Sequence, residues 1–329
     1  MQKRTLGTTG PAVSALGLGT MAMSSGAYGI ADRREAIATV HAALERGVTL
    51  LDTGDHYGTG HNEMLLAEAL RGRNRDDYLL SVKFGALTGP GGGFHGQDSR
   101  PAAVKNFLVH SLTRLGVEHI DIYRPARLDP AVPIEDTIGA IHEMIEAGYV
   151  RYAGLSEVGA ETIRRAHAVH PIADLQIEYS LVSRGVEAEV LGTVRELGIG
   201  ITAYGVLSRG LISGHWTAAG PGDHRGRMPR FSGENARHNL ALVEELRRVA
   251  EAKGCTVAQL AIAWVAGRGD DIVPLVGART RDRLAEALPA LDLTLTADDR
   301  AAIERAVPKG SARGDRYPAA LMASVGVGN

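Results

Sequence analysis

A (β/α)8 barrel is the fold that the sequence predicts, on three observations. Short apolar runs alternate with amphipathic stretches of about ten to twenty residues along the whole chain. Eight runs of each kind can be counted, the number such a barrel needs. No linker breaks the period, so residues 1–329 read as one domain, although the length alone would allow two. A doubly wound open sheet shares the alternation and is the structural alternative.

The elements follow in order. Residues 3–16, KRTLGTTGPAVSAL, read as a hairpin with its turn at Thr8-Thr9-Gly10-Pro11, placed to cap one end of the barrel. Strands are expected near 16–20, 48–53, 78–84, 119–123, 149–154, 173–177, 198–203 and 272–276. Helices are expected near 32–46, 62–71, 101–115, 134–147, 160–168, 186–196, 236–253 and 280–288, with an extra one at 256–266. Asp32 caps the first helix and Gly47 ends it. Ser99 precedes Arg100-Pro101 at the start of the third, and Gly116 closes it. The two long loops, 88–99 and 213–235, both follow strands. In a barrel they belong to the C-terminal face, where active sites sit and long loops act as lids or substrate walls.

Composition narrows the function. Thirty-six Lys and Arg against 38 Asp and Glu give a net charge of −2, which advertises no nucleic-acid partner. The single cysteine, Cys255, excludes an internal disulfide and a cysteine-rich zinc site, and fits a reducing cytoplasm. The N-terminus has no apolar signal segment, and no run of about 18 apolar residues predicts a membrane span. No metal site is expected. The sequence does not speak to oligomeric state.

Three familiar motifs fail on inspection. Gly91-Gly92-Gly93-Phe94-His95-Gly96 matches a dinucleotide fingerprint in letters, but Gln97, Asp98, Ser99 and Pro101 separate it from the next helix. Gly154-Leu155-Ser156-Glu157-Val158 lacks the last glycine of a nucleophile elbow. His142-Glu143 has no second histidine at zinc spacing, and His167 with His170 has no companion ligands.

Chemistry gathers instead at two strand ends. The second strand ends Leu50-Leu51-Asp52-Thr53, followed by Gly54-Asp55-His56-Tyr57, and the third runs Leu79-Leu80-Ser81-Val82-Lys83-Phe84. A carboxylate and an ammonium at the tails of neighbouring apolar strands are expected to pair, since burial unpaired costs several kcal/mol. Such a pair can be purely structural. Tyr57, five residues beyond Asp52, tilts the reading to function: an ammonium beside a phenol stabilises its anion, so that it can pass a proton to a developing alkoxide.

These residues stand in blocks that resemble the aldo-keto reductases. GVTLLDTGDHYGTGHNEMLLAEAL (47–70) is similar to that family's Asp–Tyr block, LLSVKFG (79–85) to its lysine strand, and IVPLVGARTRDRLAEALPAL (272–291) to its adenosine-phosphate loop. The likeness runs from RTLGTTGPAVSALGLGTMAMS (4–24) to GDRYPAALM (314–322), closest to the bacterial and plant branch. It implies a barrel that binds NADPH without a Rossmann motif and reduces a small carbonyl substrate. Tyr57 would be the general acid, Lys83 its pKa depressor and Asp52 the partner of Lys83.

The same resemblance implies the cofactor contacts. Gly19, Thr20, Met21 and Asp52 would lie beside the cofactor, with Ser156, Glu157 and Gln176 on the carboxamide and the Tyr204 ring on the nicotinamide. Val206, Leu207, Ser208, Arg209 and Gly210 would follow the pyrophosphate. Gly277, Arg279, Arg283, Glu286 and Ala287 would surround the adenosine end. Two guanidiniums there favour NADP over NAD, because a dianionic phosphate rewards forked, charge-assisted hydrogen bonds. Arg281 is charged too, so the same arginines also fit a solvated helix face.

One departure matters. The chain reads Tyr123-Arg124-Pro125-Ala126-Arg127-Leu128-Asp129-Pro130 where the family carries a catalytic histidine in Tyr-x-x-His-Arg-x-Asp-Pro. Ala126 stands at that histidine. Tyr28, Arg124, Ala126 and Arg127 are candidate substrate-pocket residues, and Trp216, Met228 and Phe231 either line the pocket or pack. The alanine leaves three readings: carbonyl reduction by Tyr57 and Lys83 alone, reduction of a conjugated double bond, or an NADPH-binding regulatory protein with weak turnover. A positioned acid–base group contributes about 10²–10⁴-fold, so losing one helper need not abolish activity.

Overall fold

The eight apolar runs become eight parallel strands closed on themselves. The computed structural model describes residues 1–24, 31–90, 93–220, 223–322 and 324–326. The strands are β1 (Gly17–Gly19), β2 (Leu50–Gly54), β3 (Leu79–Phe84), β4 (Ile120–Pro125), β5 (Val150–Ser156), β6 (Ile172–Glu178), β7 (Gly200–Tyr204) and β8 (Ile272–Gly277). They hydrogen-bond in sequence order, and β8 closes the ring on β1.

The helices are α1 (Arg33–Glu45), α2 (His61–Ala69), α3 (Pro101–Leu115), α4 (Ile134–Glu146), α5 (Ala160–Val169), α6 (Val190–Glu196), α7 (Gly233–Lys253), α8 (Val257–Ala266), α9 (Arg281–Ala287), α10 (Ala297–Ala306) and α11 (Ala319–Met322). Asp32 caps α1 by accepting the Glu35 N–H, and Gly116 ends α3 at φ +66°, as the sequence indicates. Helix α8 is apolar on all sides and buried throughout except at Gln259. Helix α10 escaped the sequence reading because it buries only Ile303 and so shows no apolar stripe. Its signal is the Thr296–Asp299 capping box.

The N-terminal hairpin pairs Lys3–Thr5 with Ala12–Ser14. Its Leu6 and Val13 pack on Leu50, Ile122 and Val273, closing the end of the barrel opposite the long loops. The glycine-rich loop holds a second hairpin, Ala86–Thr88 with Phe94–Gln97, which the sequence reading did not anticipate.

Above the apolar layer the interior is polar. Arg124 on β4 pairs with Asp174 on β6 at 3.0 Å, and both side chains are fully buried. These strands are not neighbours in the sheet, so the contact crosses the barrel interior. The Arg124 guanidinium also donates to Ser81 Oγ at 2.9 Å, and Thr202 donates to Asp174. Burial, with the charge of Asp52 behind it, pushes the Asp174 carboxyl up, while Arg124 and Thr202 pull it back. Gly154 makes room: a Cβ there would stand 2.8 Å from Asp174 Oδ1 and 3.3 Å from Arg124 Nε. Arg124 is therefore not a pocket residue, contrary to the sequence expectation; a buried acid within reach turns it inward.

Candidate active site

Alternation along the strands brings the singled-out residues to one mouth. Asp52 and Lys83 are 2% and 4% exposed and pair at 2.5 Å. The second Asp52 oxygen accepts Ser81 Oγ at 2.8 Å and Gln176 Nε2 at 2.7 Å. The carboxylate is thus fixed by side chains from two other strands, β3 and β6. Burial lowers the Lys83 pKa; Asp52 opposes this, and the charges of Arg124 and Arg127 add to it. The Lys83 ammonium lies 5.0 Å from the centroid of the Tyr57 ring. His56 meets that ring edge-on at 4.6 Å and is held by Asp55 at 3.2 Å.

These groups open into a cleft of about 740 Å³. Gly19, Met21, Asp52, Tyr57, Lys83, Ala126, Arg127, Ser156, Gln176 and Tyr204 line its deep end. Val206, Leu207, Arg209 and Gly210 line it further, Gly277 stands beside Gly19 across the β8–β1 pairing, and Arg279, Arg283, Glu286 and Ala287, from α9 and the turn before it, form its outer end. Three residues expected at the cofactor face elsewhere. Thr20 is buried and donates to the Asp52 carbonyl at 2.7 Å. Ser208 is buried behind the loop at φ +46°. Glu157, at φ +54°, takes both terminal nitrogens of Arg316 at 3.1 and 2.9 Å and the Glu178 N–H at 2.8 Å. Burial would raise its carboxyl, but Arg316, with the Arg127 charge and the Glu178 N–H behind it, outweighs this and holds it below the ordinary range. Tyr28 lies outside the described residues. Trp216 lines the cleft, whereas Met228 and Phe231 are buried packing; Phe231 meets Trp216 edge-on at 5.0 Å.

The C-terminal tail supplies what the sequence reading missed. Tyr317 lines the cleft, and its hydroxyl is 3.2 Å from that of Tyr204. Arg209 stacks on its ring at 4.4 Å. Burial and the nearby Glu157 charge push the Tyr204 phenol well up, so it stays protonated. The Gly326 N–H returns to the Glu157 carbonyl at 2.8 Å, which pins the tail across the mouth. The sequence signal was the block GDRYPAALM (314–322), which marked the tail without naming Tyr317, and nothing in its spacing pointed to β7.

The donor set suits a dinucleotide. At the outer end Arg283 pairs with Glu286 at 3.0 Å, and His215 reaches the same carboxylate at 2.9 Å. Arg281 is separated from them, bound to Glu35 on α1 at 2.9 Å. Arg279 and Arg283 therefore form the basic end of the cleft without it. Among the described residues no group of three acidic, histidine or cysteine side chains fits a metal ion, and no helix is long and apolar enough to cross a membrane.

A family model described as the aldo/keto reductase family matches residues 15–308. The chain is 38% identical over 316 residues to probable aldo-keto reductase 1 from Glycine max, covering 95% of this chain and 90% of that protein. Among solved structures, the glycerol dehydrogenase AKR11B4 from Gluconobacter oxydans superposes with a TM-score of 0.84 at 28% identity, covering 92% of this chain and 94% of that one. The holo form of aldo-keto reductase AKR11C1 from Bacillus halodurans gives 0.79 at 28% identity, covering 94% and 97%.

Proposed function

The chain belongs to the aldo/keto reductase family, and on that premise we propose that it reduces an aldehyde or ketone to an alcohol with NADPH. The observation that carries this reading is the buried Asp52–Lys83 pair beneath the Tyr57 ring at the deep end of the cleft. Reduced nicotinamide, when bound, supplies the hydride for the carbonyl carbon. The protein supplies the proton and the geometry. Tyr57 gives its phenolic proton to the carbonyl oxygen as charge develops there. Lys83 stabilises the phenolate that remains, and Asp52 keeps Lys83 charged and in place against the cost of burial.

Gln176 and Ser156, at the ends of β6 and β5, would hold the carboxamide. The Tyr204 ring would form the platform behind the nicotinamide. Val206, Leu207, Arg209 and Gly210 would follow the pyrophosphate. Gly277, Glu286 and Ala287 would border the adenosine. Ala126 brings no ring to orient the substrate, so orientation falls to the cleft walls.

Arg279 and Arg283 would take the 2′-phosphate. Replacing Arg283 by alanine is expected to weaken NADPH binding by about 10-fold and NADH binding by much less, because a charge-assisted hydrogen bond is worth about 1.5–3 kcal/mol and its loss is partly offset by Arg279. Fluorescence titration with both cofactors checks this. Equal weakening of the two sinks the 2′-phosphate assignment. The reaction itself is tested by NADPH oxidation against aldehydes, ketones and enones. Product analysis then separates carbonyl from alkene reduction, and tight NADPH binding with no turnover across the panel counts against an enzyme.

A further inference from the structure

We propose that the substrate carries an anionic group close to its carbonyl, and that the Arg127 guanidinium holds it. The inference rests on the carbonyl-reductase reading and names the substrate class for that same site.

Ala126 leaves the wall of the deep cleft small, and the next residue, Arg127, lines the cleft beside it. The guanidinium is fixed at two points: it donates to the Ala126 carbonyl at 2.7 Å and to the Tyr317 hydroxyl at 3.2 Å. One acceptor is a backbone carbonyl and the other a phenol, not a carboxylate. No carboxylate of a described residue lies within 4.0 Å of Arg127. Other arginines of the same cleft differ. Arg209 has Glu178 at 3.8 Å, Arg225 has Asp223 at 2.6 Å and Arg283 has Glu286 at 3.0 Å.

The acid whose charge reaches Arg127, Glu157, is already held by both terminal nitrogens of Arg316. Burial works against the Arg127 charge, but the surrounding phenols and the more distant Glu157 outweigh it, so the guanidinium stays charged and can offer that charge to a ligand anion. Five N–H donors in a planar fork, two of them used here, leave room for an oxyanion to bind at two points. The location sets the distance between anion and carbonyl. Arg127 follows Ala126, whose N–H bonds the carbonyl of Phe84, the residue after Lys83, and the Tyr317 hydroxyl it holds also meets that of Tyr204, so it sits at the reacting end of the cleft and not at the adenosine end. The substrate is then a short oxo acid or a short phosphorylated aldehyde.

The test compares matched probes on the NADPH-loaded enzyme: 4-oxobutanoate against butanal, and glyceraldehyde 3-phosphate against glyceraldehyde. The expected result is that the anionic member of at least one pair is preferred about 10- to 100-fold in kcat/KM, mostly through KM, and that Arg127→Gln removes most of that ratio. Which pair shows it separates carboxylate from phosphate. Arg127→Lys keeps the charge and is expected to keep part of the preference, and NADPH binding by each variant confirms that it is folded. Reduction of both members of each pair at equal kcat/KM by the parent enzyme overturns the proposal and leaves the carbonyl reading intact. Equal losses on charged and neutral probes in Arg127→Gln also overturn it, since Arg127 would then act on the carbonyl itself. No Tyr57-dependent reduction of any probe removes the carbonyl reading, and this proposal with it.

Discussion

Tyr57→Phe is expected to lower kcat by about 10²–10⁴-fold, the usual contribution of a positioned acid, while NADPH affinity stays within about twofold, since only one oxygen is removed. The substitution is informative because so little else changes. The ring stays, and with it the contact to the Lys83 ammonium at 5.0 Å and the edge contact with His56. The Asp52–Lys83 pair keeps both members. Changing Lys83 instead would strand a buried carboxylate, at a cost of about 3–5 kcal/mol of stability, and would confuse folding with catalysis. Steady-state NADPH oxidation, cofactor titration and a melting curve on the same preparation decide it. Turnover within tenfold of the parent would remove Tyr57 from the role of acid.

Arg124→Met is expected to cost about 3–5 kcal/mol of stability, because it leaves the Asp174 carboxyl in the barrel interior without its counter-ion, to be held charged or protonated at a cost. The pair is closed to water: both side chains are fully buried, and the burial of Asp174 already raises its pKa. Removing both charges together, as Arg124→Met with Asp174→Leu, is expected to recover most of the loss, since an apolar pair of similar volume is often as stable as a buried ion pair. Urea unfolding of the parent, both single variants and the double variant gives the cycle. A single variant within about 1 kcal/mol of the parent would mean that water or a neighbouring donor replaces the lost partner. The network also reaches the active site. Arg124 donates to Ser81, and Ser81 donates to Asp52. The double variant is therefore expected to fold and yet turn over more slowly, through looser placement of Asp52.

Much of this molecule is written locally. Leu50, Leu51 and Thr53, with Asp52 among them, mark β2, and Lys83 sits in an equally apolar β3, so residue pattern alone makes the two charges stand out as strand-end residues. Caps at Asp32 and Gly116 are read directly from residue type. The third helix shows the limit: it starts at Pro101 as the sequence indicates, but Ser99 does not cap it, its N–H being held by Asp129, thirty residues away. Helix α10 shows another, since one buried residue makes no periodic stripe.

The sequence by itself determined the element order, the barrel and the residues that end its strands, because periods of 2.0 and 3.6 and capping chemistry act between near neighbours in the chain. The tertiary structure alone decided the partners of the charges. Arg124 turned from the expected pocket to Asp174 and Glu157 from the cofactor to Arg316, while Arg281, which the sequence left on a solvated helix face, is bound to Glu35. Pairing follows distance in space and the cost of burying a charge alone. For Glu157 and Arg316 that distance is 2.9 Å across 159 residues of chain, a separation that no spacing rule in the sequence encodes.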